Sequence, residues 1–139
     1  MKINTQFVFF IFFIFSFSAC KVDKEAEQSI AIVNYSFSGC FASGKSKLVI
    51  YKKKDELFAE MEENGEKLKA KLSNLQLDTF KTFFLSLKKL DDKSLCTTVE
   101  IYKVNYNNET IIRKNAGCDW NGFTQLTKCL FSDPFIQVK

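Results

Sequence analysis

The dipeptide Asn64-Gly65 is the feature that most restricts how this chain folds. Asn-Gly between two runs of alternating polarity is a strong signal for a two-residue β-hairpin turn. With the turn at this point, Met61 lies opposite Leu68 on one side of the hairpin. On the other side, Glu62 lies opposite Lys67. Because apolar pairs and opposite-charge pairs across strands both stabilise a sheet, one register satisfies both faces.

The residues before this hairpin predict a third antiparallel strand. A turn at Lys54-Asp55 places Leu48 opposite Met61, and it places Lys47 opposite Glu62 on the other face. Residues 47–72 therefore predict a three-stranded meander with one apolar face. Residues 29–37 are rich in Ile, Val, Tyr and Phe, which predicts a further strand.

An amphipathic helix follows the meander and is expected to cover its apolar face. Ser73 and Gln76 have the spacing of a capping box, which satisfies two backbone donors at a helix start. The apolar residues after it recur at intervals of three and four, so the pattern predicts a helix over residues 75–90. The predicted stripe consists of Leu77, Phe80, Phe83, Phe84, Leu87 and Leu90.

A second hairpin is predicted around Asn107-Asn108, between residues 95–106 and 109–114. The register that we expect places Tyr102 opposite Ile112 and Glu100 opposite Lys114. The same register brings Cys96 level with Cys118. Gly117 is the weak point, because it could end the ladder before the two cysteines meet.

The end of the chain predicts a short helix. Asn121 is a candidate helix cap, and Phe123, Leu126 and Leu130 then face inward. Pro134 marks a tail beyond this helix. We therefore predict a single α+β domain over residues 29–139. Its mainly antiparallel meander sheet is covered by one amphipathic helix, with a short C-terminal helix in addition.

The first nineteen residues have the layout of a secretory signal peptide. A short segment with the positive charge of Lys2 precedes an apolar stretch from Phe7 to Phe17, which is interrupted only by Ser16. A membrane-spanning helix needs about 20 apolar residues, so this stretch is too short to be one.

Phe17-Ser18-Ala19-Cys20 resembles the lipobox of bacterial lipoproteins, in which a bulky apolar residue precedes two small residues and a cysteine. Phe17 departs from the usual leucine. The resemblance implies that the leader is removed and that Cys20 becomes the diacylated first residue. Residues 20–28 then form a charged, lipidated tether. Because Lys21 differs from the aspartate of inner-membrane retention signals, the resemblance favours the outer membrane, with either the periplasmic or the outer face open.

Four further cysteines predict two disulfides, because an even number in an exported chain is typical of disulfide pairing. The hairpin register favours Cys96–Cys118, which leaves Cys40–Cys129 by elimination, and Cys118–Cys129 is the competing pair. The chain has no C-x-x-C pair, so we predict no metal site.

The segment from Gly39 to Ser46 fits the pattern of a phosphate-binding P-loop. A P-loop requires a helix directly after it, whose amide groups face the phosphate. The residues after Ser46 instead alternate as a strand. We therefore expect a glycine-rich connection between two strands, and an envelope hydrolase or nucleotide-binding protein using this loop is the alternative.

Composition excludes several activities. The chain has no histidine, so Ser-His-Asp and Cys-His catalytic arrangements are absent. The net charge of +4 does not predict nucleic-acid binding. Trp120 is expected to be packed near a disulfide, with an exposed binding anchor as the alternative. We predict a non-enzymatic envelope lipoprotein without cofactor or catalytic residues, acting as a binding, inhibitory or structural module on the membrane or on an envelope protein partner.

Overall fold

A computed structural model describes residues 27–91, 96–117 and 119–132. The predicted leader, Cys20 and most of the tether lie outside these residues, as do Cys118 and Pro134. The described part has six strands and two helices. In chain order they are β1 (Gln28–Ser38), β2 (Ser43–Lys53), β3 (Glu56–Glu63), β4 (Glu66–Leu72), α1 (Asn74–Lys88), β5 (Val99–Tyr106), β6 (Glu109–Asn115) and α2 (Gly122–Leu130).

The strands form one antiparallel sheet in the order β4-β3-β2-β1-β5-β6. The predicted α+β class and the antiparallel sheet are therefore confirmed. Every pair of neighbouring strands is joined by a short turn except β1 and β5, which come together from distant parts of the sequence. The chain reaches β5 from β4 through α1.

The predicted meander register is confirmed at both turns. Leu48 pairs with Met61 across β2 and β3, and Met61 pairs with Leu68 across β3 and β4. Asn64 and Gly65 have φ angles of 51° and 85°, as a two-residue turn of this type requires. The first strand of the meander begins earlier than predicted, because β2 starts at Ser43.

The register predicted for the second hairpin is wrong by one residue. Tyr102 pairs with Arg113, and Glu100 pairs with Asn115. The cause is the turn, in which both Asn107 and Asn108 have positive φ angles, so that the two-residue loop pairs the residues directly on either side of it. A shift of one residue moves each side chain of β6 to the other face, and Ile111 therefore points into the core.

Helix α1 begins with the predicted capping box. The Gln76 backbone N–H donates to the Ser73 hydroxyl, and the Ser73 backbone N–H donates to the Gln76 side chain. Near the other end of α1, Lys88 forms an ion pair with Glu109 on β6 at 2.8 Å. Helix α1 therefore follows edge strand β4 in the chain and ends beside edge strand β6.

The core lies between one face of the sheet and the two helices. Phe80 and Phe84 of α1 each pack edge-on against Tyr106 of β5, with ring centroids 5.2 Å apart. Phe123 of α2 stacks on Tyr35 of β1 at 4.5 Å. The inward positions predicted for α2, which are Phe123, Leu126 and Leu130, are buried as expected.

Candidate functional site

The segment from Gly39 to Ser46 is the turn between β1 and β2 and the start of β2. Lys45 and Ser46 are consecutive strand residues, so their side chains point to opposite faces of the sheet. Ser46 is only 6% exposed on the core side, whereas Lys45 is exposed on the other side. A P-loop needs the lysine at the β- and γ-phosphates and the hydroxyl on the magnesium ion bound to them, so both side chains must reach one ligand. The predicted strand connection is therefore what forms.

Gly44 of this segment has a packing explanation. Gly44 lies opposite Phe37 on the neighbouring strand. A Cβ atom at residue 44 would lie 2.5 Å from the Phe37 ring. Glycine is therefore required here for the close approach of an aromatic side chain to the backbone, independently of any phosphate.

The cysteine pairing predicted by elimination is wrong. Cys40 and Cys129 both carry free thiols, so neither Cys40–Cys129 nor Cys118–Cys129 forms. Cys40 lies in the β1–β2 turn. The carbonyl of Cys129 accepts from the Gln76 side chain, which places Cys129 beside the start of α1 at the opposite end of the sheet. Cys96 is disulfide-bonded, and its predicted partner, Cys118, lies outside the described residues.

Trp120 is packed, as expected. Its ring lies 5.2 Å from the Tyr102 ring and 5.8 Å from the Phe83 ring, measured between centroids. It therefore closes the end of the core and is not an exposed binding anchor. Within residues 27–91, 96–117 and 119–132, no group of three or more Cys, Asp or Glu side chains has the arrangement of a metal site.

The face of the sheet opposite the helices is a surface that these observations leave without a structural role. We call it the open face. No element within the described residues packs on it, and many of its side chains are exposed. The open-face positions of its strands carry eight lysines and three glutamates, whereas the whole chain has a net charge of only +4. The lysines are Lys45, Lys47, Lys53, Lys67, Lys69, Lys71, Lys103 and Lys114, and the glutamates are Glu56, Glu60 and Glu62.

The positive charge of the open face is concentrated at the end near the β1–β2 turn. There, Lys47 and Lys103 lie on either side of Asn34 of β1. In the next row, Lys45 lies opposite Ser36, and Lys114 of β6 pairs with Ile101 of β5. We call these four lysines, Lys45, Lys47, Lys103 and Lys114, the lysine patch.

The lysines of the patch are not neutralised by described residues. None of the four forms an ion pair within the part of the chain that the structure describes. Glu62 pairs with Lys47 across the strands and is the acidic residue of the open face closest to the patch. The open-face positions of β1, β5 and β6 carry no acidic side chain at all.

The β3–β4 side of the open face is electrostatically different. Lys71 pairs with Glu56, and Lys67 pairs with Glu60 at 3.8 Å. Lys69 lies over the rings of two stacked aromatic residues, and its hydrogen bond with one of them, Tyr51, raises the pKa of its ammonium group. The lysines on the β3–β4 side of the open face therefore already have partners within the chain.

An open groove of about 430 Å³ runs over the lysine patch. Lys45, Lys47 and Lys103 provide its positive charges, and Glu62 provides one negative charge. Asn34 and Ser36 provide neutral hydrogen-bonding groups. The positive charges of this lining attract anions.

Hydrogen bonds on the core side hold the strands of the patch together. The hydroxyl groups of Tyr35 and Tyr102 both donate to the Glu100 carboxylate, at 2.9 and 2.8 Å. Burial and these hydrogen bonds raise the pKa of both tyrosines. The side-chain amide of Asn115 donates to the same carboxylate at 2.8 Å. One acidic group thereby links β1, β5 and β6 directly beneath the patch.

Sequence reasoning missed most of this site. It singled out Lys45, but as a phosphate-loop lysine, and it placed Lys47 only as a partner of Glu62. Lys103 and Lys114 were not candidates. The available signal was the recurrence of lysine at every second residue of predicted strands, at positions facing away from the core. The placement of β5 beside β1 was the missing information.

Within the described residues, no helix combines the length and the apolar character that crossing a membrane requires. The chain matches no protein-family model, no curated protein and no solved structure.

Proposed function

We propose that this chain is a non-enzymatic lipoprotein of the bacterial outer membrane, anchored through an acylated Cys20. Its folded domain acts as a binding module, and the open face is the binding surface. The lysine patch is the observation that supports this assignment most strongly.

The anchor is supported by the order of segments in the sequence. A positively charged start, an apolar stretch and Phe17-Ser18-Ala19-Cys20 follow one another as in bacterial lipoproteins. The structure adds that the first strand begins at Gln28, so a tether of about eight residues separates Cys20 from the domain.

The binding role is supported by the distribution of charge. Uncompensated lysines on a folded surface repel one another, and an anionic partner relieves this repulsion. The β3–β4 side of the same face shows the alternative arrangement, in which the chain supplies glutamates for its own lysines. We infer that Glu62 is the one acidic neighbour of the patch on the open face because the partner provides the remaining negative charge.

We also infer a division of roles between the helices. Helix α1 is the main cover of the sheet, since it follows edge strand β4, ends beside edge strand β6 and buries four residues, Phe80, Phe83, Phe84 and Leu87. Helix α2 completes the cover at one end. This arrangement places both helices on one side and leaves the open face available for binding. No observation favours the alternative of an enzyme that uses the Gly39–Ser46 segment.

The anchor is tested by a Cys20→Ser variant of the full chain expressed in a bacterium that acylates lipoproteins. We expect the wild type to incorporate labelled palmitate and to sediment with outer membranes, whereas Cys20→Ser does neither. Cys40→Ser is the matched control, because Cys40 is an exposed free thiol, and it retains both properties. Palmitate in Cys20→Ser, or its absence from the wild type, contradicts the assignment.

A further inference from the structure

We propose that the lysine patch docks on the surface of a phospholipid bilayer that carries anionic headgroups. This inference rests on the proposed function, since it names the partner of the open face. The domain would then lie flat against the membrane in which it is anchored, with its helices directed away from the lipid.

The first argument is the combination of charged and apolar side chains in the patch. Ile101 and Ile112 are 46% and 61% exposed, and they alternate with lysines across β5 and β6. Ile101 pairs with Lys114, and Ile112 pairs with Lys103. Lysine attracts anionic headgroups, and exposed apolar side chains gain by entering the boundary between headgroups and acyl chains. A soluble polyanion offers no apolar environment that would remove these two isoleucine side chains from water.

Phe41 provides a second apolar group at the same end of the sheet. It is fully exposed in the turn between β1 and β2, two residues before the start of β2. Phe41, Ile101 and Ile112 make up three of the five large apolar side chains that are exposed within the described residues. Their concentration at and beside the patch matches a membrane interface.

The type of cation is the third argument. Arg113 is the only arginine of the chain, and it lies on a core-side position of β6. Arginine is the residue favoured where a carboxylate or phosphate is held in fixed geometry, whereas lysine acts as a mobile point charge. A patch made of lysine alone is suited to a field of mobile headgroups.

The length of the tether completes the argument. About eight residues between Cys20 and β1 span at most ~27 Å when fully extended. The acyl anchor therefore keeps the open face within reach of the bilayer at all times. At such a high effective concentration, a weak electrostatic attraction is sufficient to orient the domain.

Sedimentation with vesicles tests the docking without the anchor. The full chain carrying Cys20→Ser is mixed with phosphatidylcholine vesicles, with and without phosphatidylglycerol, in about 0.1 M salt, where screening is moderate. The patch variant adds Lys45→Gln, Lys47→Gln and Lys103→Gln. The control instead adds Lys81→Gln, Lys89→Gln and Lys128→Gln, which change the charge equally on the helical side. All six lysines are exposed, and circular dichroism verifies that both variants are folded.

Each lysine beside an anionic bilayer contributes roughly a fivefold factor to binding, so we expect the patch variant to bind phosphatidylglycerol vesicles about 100-fold more weakly. The control variant is expected to change by fivefold at most. Equal binding of the two variants, or equal binding to vesicles with and without phosphatidylglycerol, overturns the proposal. Any binding due to the leader is common to all variants and cancels in the comparison.

A second pair of variants separates a lipid surface from a soluble polyanion. Ile101→Thr with Ile112→Thr keeps residues that favour strands and is expected to weaken vesicle binding several-fold. Polyglutamate is expected to compete poorly with the vesicles. If the threonine variant binds like its parent and polyglutamate competes fully, the patch binds a soluble acidic chain and the proposal is wrong. Because Cys20 is absent throughout, a negative result here leaves the palmitate experiment unaffected.

Discussion

The Tyr35 hydroxyl on β1 donates a hydrogen bond of 2.9 Å to the Glu100 carboxylate on β5. This contact crosses the only pair of neighbouring strands that no short turn connects. Glu100 also accepts from Tyr102 and Asn115. One partly buried carboxylate therefore adds side-chain links to the strand pairing that places β5 and assembles the lysine patch.

We expect Glu100→Ala to lower the free energy of unfolding by about 3 kcal/mol, since it leaves two tyrosine hydroxyls without their acceptor and removes one of the two acceptors of the Asn115 amide. Chemical denaturation measures this change. Glu62→Ala is the control, because Glu62 is an exposed carboxylate of the sheet, and it should change stability by about 0.5 kcal/mol or less. Similar effects of the two substitutions would show that the hydrogen-bonded group is not a structural link.

Alkaline pH is expected to destabilise the fold through Tyr35 and Tyr102. The pKa of each is raised in the folded state, chiefly by burial and then by the hydrogen bond to Glu100. The unfolded chain releases these protons at about pH 10, so stability is complete below that pH and falls as the pH rises further.

Denaturation curves between neutral and alkaline pH, with tyrosinate absorbance recorded in parallel, test this dependence. We expect the decline in stability of Tyr35→Phe to be shallower than that of the wild type, because one of the two groups is removed. Ionisation of all four tyrosines before any loss of structure would refute the predicted pH dependence of stability.

The strand registers could be predicted where the residue pairs on both faces of the sheet specify the same alignment. Around Asn64-Gly65 and Lys54-Asp55, apolar pairs on one face and Glu–Lys pairs on the other demand the same alignment. The second hairpin lacks this redundancy, because Ile111 and Ile112 are both apolar and alternation alone does not show which one faces the core. The register therefore depends on the backbone conformation of Asn107-Asn108, which shifts the strand pairing by one residue from the predicted one.

The candidate site could not be predicted for a different reason. Lys47 and Lys103 are neighbours across Asn34, but they are far apart in the sequence. Local patterns describe hairpins, and the contact between β1 and β5 is not a hairpin. The Cys40–Cys129 pairing was wrong because it also depends on where distant parts of the chain lie in the fold. Pairing by elimination takes no account of which end of the sheet each cysteine occupies.

Gly65→Ala is expected to destabilise the protein by about 1 kcal/mol through the backbone alone. The φ angle of Gly65 is +85°, and a Cβ atom added there meets no other atom within 4 Å. Thermal denaturation measures the difference. Gly65→Asn is the control, because asparagine tolerates this conformation better, and it should recover part of the loss. An effect of Gly65→Ala below a few tenths of a kcal/mol would mean that the turn rearranges.

Peptide mapping without reduction is expected to recover Cys96 joined to Cys118, with Cys40 and Cys129 available to alkylating reagents. A loop of this size contributes about 3 kcal/mol of stability in the chain-entropy model, so Cys96→Ser should lower stability by that order. A peptide that joins Cys40 to Cys129 would contradict the structure. A peptide that joins Cys96 to any residue other than Cys118 would contradict the pairing.

The most direct measurement is the mass of the first peptide of the protein extracted from bacterial membranes. If the chain is a lipoprotein, this peptide begins at Cys20 and carries the mass of a diacylglyceryl group. A peptide that retains residues 1–19, with an unmodified thiol at Cys20, would contradict the proposed anchor and the membrane orientation that follows from it.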